Sequence, residues 1–144
     1  MPRRGGAKII WIDPGFNATM AKADIPMRLR PGTDSSLIMA MIHVILKEDL
    51  HDKEFCDTWV LGLDEWRPLI EGMTPERAEK ITWVPKETII KAARTFALNK
   101  PAQVTGCLGT AQTYNSNNTN RCYIALVAIT GNIGIPRWRL ELAP

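Results

Sequence analysis

The sequence predicts an α/β fold, in which parallel strands form a sheet that is flanked by helices. A short β-branched run at residues 7–12 lies between glycines and a proline, which is typical of a buried strand. A second apolar run, residues 102–108, follows several segments with helical periodicity. Strands that are separated by helices usually pair in parallel, because a crossover returns the chain to the same end of the sheet.

The first 32 residues predict one clear strand, followed by a short helical turn and a second short strand. After the strand at residues 7–12, the segment 13–32 contains three prolines and no long hydrophobic period. It predicts only a short helical turn around residues 18–23 and a second short strand near residues 27–29.

The rest of the chain is predicted to be mostly helical. From Asp34 the apolar residues recur with the spacing of a helix that ends near Glu48, and Thr33 or Asp34 is its expected N-cap. Four further helical patterns follow, at residues 52–60, 63–70, 74–81 and 86–97. After the predicted strand at 102–108, a polar loop at residues 110–119 leads to a last helix at residues 120–129.

Two or three strands are few for a self-sufficient parallel sheet. We therefore expect an incomplete sheet, belonging to a fragment of a larger protein. The 144 residues are enough for one ordinary domain but not for two.

The composition excludes several classes of protein. With 45% hydrophobic residues, 23% charged residues and a net charge of +3, the chain is typical of a globular domain, and its charges form no basic stripe for a nucleic acid. The longest apolar stretch, residues 122–129, is too short to span a bilayer, and no membrane contact is evident. The start of the chain lacks the apolar segment of a secretory signal. The three cysteines are far apart, so the sequence predicts no metal ligands.

Two acidic turns are the main candidates for a binding site. Asp13 follows the first predicted strand and Asp34 begins the long helix, so both belong at the carboxyl edge of the sheet, where ligands bind in open α/β folds. Carboxylates there suit the donor edge of guanine better than they suit a phosphate. Each turn could equally be only a cap. The glycine pair Gly106 and Gly109 could admit a ligand to the backbone, or could allow close packing.

Six segments, in order, resemble the molybdopterin oxidoreductase family of the dimethyl-sulfoxide-reductase type. They are residues 6–14 (GAKIIWIDP), 21–24 (AKAD), 30–34 (RPGTD), 39–45 (MAMIHVI), 49–55 (DLHDKEF) and 130–134 (TGNIG). The resemblance implies a Rossmann-like α/β domain over residues 1–136, followed by a non-family tail at residues 137–144. In such enzymes this domain binds one arm of a bis(molybdopterin guanine dinucleotide) cofactor that carries molybdenum or tungsten.

The resemblance also implies which residues bind the cofactor. They fall into three groups: Ile12, Asp13, Pro14 and Gly15 lining the nucleotide; Gly32, Thr33 and Asp34 binding guanine; and Leu108, Gly109 and Gln112 nearer the pterin. It implies no catalytic residue and no metal ligand in this chain. A full-length parent would transfer electrons or oxygen atoms, and the chain alone would be inactive.

The implied partners are the rest of the catalytic subunit and an iron–sulfur electron-transfer subunit. A [4Fe–4S] cluster is expected in the parent but is not ligated by this chain, and the cellular location stays open. One alternative of a different class is a free-standing, non-catalytic module that binds a nucleotide or another subunit.

Overall fold

The computed structural model describes residues 6–135 and contains a two-stranded parallel sheet, with strands β1 (Ile10–Asp13) and β2 (Ile25–Arg28). Ile10 is opposite Ile25 and Asp13 is opposite Arg28. The connection between the strands contains one 3₁₀ turn, Met20–Lys22. The sequence predicted all three features, although β1 begins three residues after and β2 two residues before the predicted position.

Seven helices lie within residues 6–135. They are α1 (Asp34–Lys47), α2 (Lys53–Trp59), α3 (Leu63–Glu71), α4 (Pro75–Thr82), α5 (Lys86–Leu98), α6 (Leu108–Ala111) and α7 (Ser116–Ile129). The first five confirm the predicted helices to within a residue or so at each end. Helix α7 begins four residues earlier than predicted, and α6 occupies part of the predicted polar loop.

The predicted strand at residues 102–108 is wrong. Residues 102–107 form neither strand nor helix, and Leu108 begins α6. Ala102 and Val104 do pack against the core, but the Ala102 N–H donates to the Asn132 side-chain oxygen at 2.9 Å instead of to another strand. A strand requires a partner, and no residue of 6–135 provides one for this segment. The larger Rossmann-like sheet is therefore not confirmed.

Helix α1 is the centre of the core. Leu37, Ile42 and Ile45 are completely buried, and α4, α5 and α7 pack around the helix. A helix that is apolar on most sides is stable only when neighbours cover those sides. Buried side chains of the β2 strand, such as Met27, join the same core.

Helices α1 and α7 run in the same direction. At one end, the Asn115 side-chain amide donates to the Ser35 hydroxyl at 3.1 Å, just where both helices begin. At the other end, the Asp52 N–H donates to the carbonyl of Ile129, the last residue of α7. The two helix N-termini therefore lie side by side.

No helix within residues 6–135 is long and apolar enough to cross a bilayer. The predicted tail at residues 137–144 lies outside the described residues, as does Pro136.

Candidate functional site

The ends of the two strands place both acidic turns at one edge of the molecule. Asp13 is the last residue of β1, and it is opposite Arg28, the last residue of β2. The chain then leads through a short turn from β2 into α1, which begins at Asp34. The bond between Asn115 and Ser35 brings the segment before α7 to the same edge. The structure thus gathers the β1 loop, the Asp34 turn and the start of α7 at one edge, and the third predicted group lies in α6 and directly after it, just before α7 in the chain.

The Asp13 carboxylate is already engaged within its own loop. One oxygen accepts from the Gly15 N–H at 2.7 Å, and the other accepts from the Asn17 side-chain amide at 3.1 Å. The Asn17 side-chain oxygen in turn accepts from the N–H groups of Thr19 and Met20. The carboxylate therefore stabilises the connection between the strands, which is one of the two roles that the sequence left open.

A tight turn of residues 30–33 precedes Asp34. The Thr33 N–H and hydroxyl both donate to the Arg30 carbonyl, at 3.3 and 2.7 Å. Pro31 and Gly32 are the central residues, and Gly32 has φ +79°, as a type II turn requires at that position. Thr33 occupies the N-cap position of α1, as predicted, but its hydroxyl holds the turn and makes no cap hydrogen bond to the helix.

The Asp34 carboxylate, in contrast, has hydrogen-bond acceptor positions that no other described residue uses. Its carboxylate is half-buried, and within residues 6–135 it accepts no hydrogen bond from another residue, only from its own backbone N–H. Burial raises the pKa of the Asp34 carboxyl above its usual range, because the charged form loses hydration that no partner replaces. Such a group gains from a ligand that brings hydrogen-bond donors.

The glycine segment has one packed glycine and one open one. A methyl group on Gly106 would lie 3.1 Å from the Thr110 hydroxyl oxygen and 3.4 Å from Cε2 of Tyr123. A methyl group on Gly109 would have no neighbour within 4 Å among residues 6–135. Leu108 and Gln112 are also exposed. The predicted cofactor-contacting residues of this segment are therefore accessible from outside.

Three residues of the site escaped the sequence analysis: Ser35, Asn115 and Tyr123. Tyr123 is half-buried, and burial, reinforced by the nearby negative charge of Asp34, raises its pKa to about 12. Its ring also lies against Gly106, so the same residue contacts the glycine segment and feels the charge of the acidic turn. Asn115 directly precedes α7, and the preference of asparagine for the N-cap position was a signal for that helix start.

No group of three or more metal-ligating side chains occurs among residues 6–135. Cys56 and Cys122 are buried and Cys107 is exposed, and all three are free thiols.

Comparison with known proteins identifies the family. Residues 2–141 match the family model described as molybdopterin oxidoreductase. The chain is 40% identical over 134 residues to formate dehydrogenase H of Escherichia coli, which covers 93% of this chain and 19% of that enzyme. It is 36% identical to the dimethyl sulfoxide reductase DmsA of Haemophilus influenzae, over 92% of this chain and 19% of that protein.

The fold has a close counterpart of known structure. Acetylene hydratase from Pelobacter acetylenicus superimposes with a TM-score of 0.87 at 35% identity, over 90% of this chain and 18% of that one. The chain thus spans about a fifth of the length of these relatives. On the family match and these likenesses, the chain belongs to the molybdopterin oxidoreductase family.

Proposed function

We propose that this chain binds the guanine dinucleotide arm of a molybdopterin guanine dinucleotide cofactor, within an enzyme that transfers electrons or oxygen atoms. Family membership supports the pterin cofactor. The observation that carries the guanine assignment is the half-buried carboxylate of Asp34, which has no partner residue within 6–135. It lies at the edge where open α/β folds bind their ligands.

Guanine matches this carboxylate chemically. The ring N1–H and the exocyclic amine point in the same direction, so the two oxygens of Asp34 can accept from both. Hydrogen bonds to a charged acceptor are stronger than those between neutral groups, and they would replace the hydration that burial removes. A phosphate at the same place would be repelled.

A neighbouring helix end suits the phosphates of the dinucleotide. The N-terminus of α7 lies beside the start of α1 at this edge, has no acidic residue in its first turn, and presents backbone N–H groups and a partial positive charge. We assign contacts nearer the pterin to the backbone of Leu108 and Gly109 and to the side chain of Gln112, all of which are exposed.

The β1 loop contributes a surface to this site. We assign Ile12, Asp13, Pro14 and Gly15 to the nucleotide lining, together with the turn residues Gly32 and Thr33. Because the Asp13 carboxylate is bonded to Gly15 and Asn17, it acts by holding the loop in shape. The described residues therefore fit the nucleotide arm of the cofactor.

The reaction itself belongs to other parts of the enzyme. When bound, the cofactor supplies a molybdenum or tungsten centre for electron or oxygen-atom transfer. We propose that the rest of the catalytic subunit holds that metal and a [4Fe–4S] cluster, and that an iron–sulfur subunit exchanges electrons with it. Strands from the rest of the subunit would complete a Rossmann-like sheet.

The Asp34→Ala variant tests the proposal. The full-length parent enzyme is purified as wild type and as variant. Each protein is analysed for pterin, for molybdenum or tungsten, and for the GMP that acid hydrolysis releases. We expect the pterin, metal and GMP contents to fall together in the variant, while the far-ultraviolet circular dichroism spectrum stays unchanged. Unchanged contents in a folded variant would overturn the guanine assignment. GMP without pterin in the wild type would instead favour the free-standing nucleotide-binding module.

A further inference from the structure

Arg30 and Trp83 form a pair on the surface beside the Asp34 turn. The guanidinium carbon of Arg30 lies 5.4 Å from the centroid of the Trp83 ring, which is the geometry of a cation–π contact. The Arg30 N–H also donates to the Thr82 carbonyl at 2.9 Å. The turn that carries Asp34 is therefore attached to the end of α4 through both the backbone and the side chain of Arg30.

Trp83 occupies a backbone position that does not favour tryptophan. It is the C-cap of α4 with φ 66° and ψ 9°, a left-handed conformation that is usually taken by glycine. The residue is 67% exposed, so burial in the core does not offset the unfavourable conformation. The interaction that the structure shows for this indole ring is its contact with the Arg30 guanidinium.

Among the described residues, the charge of Arg30 is not neutralised by a carboxylate. No acidic side chain within residues 6–135 forms an ion pair with it. Within residues 6–135 no group accepts a hydrogen bond from the Arg30 guanidinium, so its N–H groups are available to a ligand. Arg30 is thus a cation that lies against Trp83 and has donors available, four residues before Asp34.

We propose that Arg30 binds a phosphate oxygen of the same nucleotide whose guanine contacts Asp34, and that Trp83 is a positioning residue that holds Arg30 in place. This inference rests on the proposed function. The two charged side chains bind different parts of the ligand, because Asp34 repels a phosphate and accepts from guanine, whereas Arg30 attracts the phosphate. Together they fix the direction in which the nucleotide lies across the turn.

Four variants of the purified protein test this inference. Arg30→Gln removes the charge, and Trp83→Gly removes the ring at a position where glycine fits the backbone. Trp83→Phe keeps an aromatic face, and Arg77→Gln is a control that removes an exposed arginine at the other end of α4. The measurement is the rate at which bound guanine nucleotide, assayed as GMP after acid hydrolysis, is lost during dialysis at low and high salt.

We expect Arg30→Gln and Trp83→Gly to lose the nucleotide about tenfold faster than the wild type at low salt, as for one lost hydrogen bond between charged groups. The salt dependence of the loss should also shrink, because a screened charge contact is missing. Trp83→Phe should keep most of the retention, and Arg77→Gln all of it. A ring with only a structural role would not change the salt dependence.

Other results would overturn the inference. If Arg30→Gln and Trp83→Gly retain the nucleotide as the wild type does while Asp34→Ala loses it, the inference is wrong and the proposed function stands. If Trp83→Gly loses the nucleotide and Arg30→Gln does not, the indole does not act through Arg30. A wild-type protein without guanine nucleotide would refute both proposals.

Discussion

The two acidic turns, at Asp13 and at Asp34, share one edge of the molecule but differ in how their carboxylates are satisfied. Asp13 accepts hydrogen bonds from Gly15 and Asn17, both within its own loop. Asp34 accepts from no other residue within 6–135, and burial raises its pKa. A carboxylate with internal donors stabilises its loop, whereas one that lacks them gains most from a ligand. Hydrogen-bond satisfaction therefore distinguishes the two turns better than residue type does.

Replacing each aspartate by asparagine should separate the two roles most widely. Asp34→Asn keeps the shape but removes the charge and turns a donor toward a guanine N–H, so we expect about a hundredfold weaker retention of the nucleotide, as for one lost hydrogen bond to a charged group. Asp13→Asn should retain it, because an amide oxygen can still accept from the Gly15 N–H. Both are measured as GMP released per polypeptide. Equal losses of nucleotide in the two variants would show that the two carboxylates do not differ in their roles.

Truncating Asp13 should affect folding more than binding. Asp13→Ala removes both hydrogen bonds that hold the β1 loop, and we expect it to lower the free energy of unfolding by about 1 kcal/mol. Urea denaturation measures the change, and Asp13→Asn is the matched control. An Asp13→Ala protein of wild-type stability that has lost its nucleotide would show that this carboxylate contacts the ligand.

The two glycines offer a smaller test of the same contrast between structure and binding. Gly106→Ala should destabilise the fold by up to about 1 kcal/mol, because the new methyl crowds Thr110 and Tyr123. The methyl of Gly109→Ala meets no atom of the described part of the chain within 4 Å, so thermal stability should be unchanged while the pterin content falls several-fold. A normal pterin content in Gly109→Ala would place the cofactor away from this glycine.

Local patterns predicted α1 well, because its apolar spacing and the turn before it are contained within a few residues. The prediction of a strand at residues 102–108 failed, because strand formation depends on a partner that apolar composition does not reveal. The same reason applies to the site. Asp34 was proposed as a site residue from its own turn, whereas Asn115 contacts Ser35 across a separation of 80 residues. No local pattern connects those two positions.

The smallest effect expected is on the pH dependence of stability, and it tests the state of Asp34 directly. Because burial raises the folded-state pKa of Asp34, the unfolded protein releases this proton first as the pH rises. In cofactor-free protein the Asp34 contribution to stability is therefore most favourable below pH 3.8, the ordinary pKa of an aspartate, and falls as the pH rises through the elevated pKa.

Asp34→Asn lacks this loss of stability, so the variant should be more stable than the wild type at pH 7 and equal to it at low pH. Urea denaturation of both proteins across this range measures the difference. A wild type that gains stability relative to Asp34→Asn on going from low pH to pH 7 would mean that Asp34 has a stabilising partner in the protein, like Asp13.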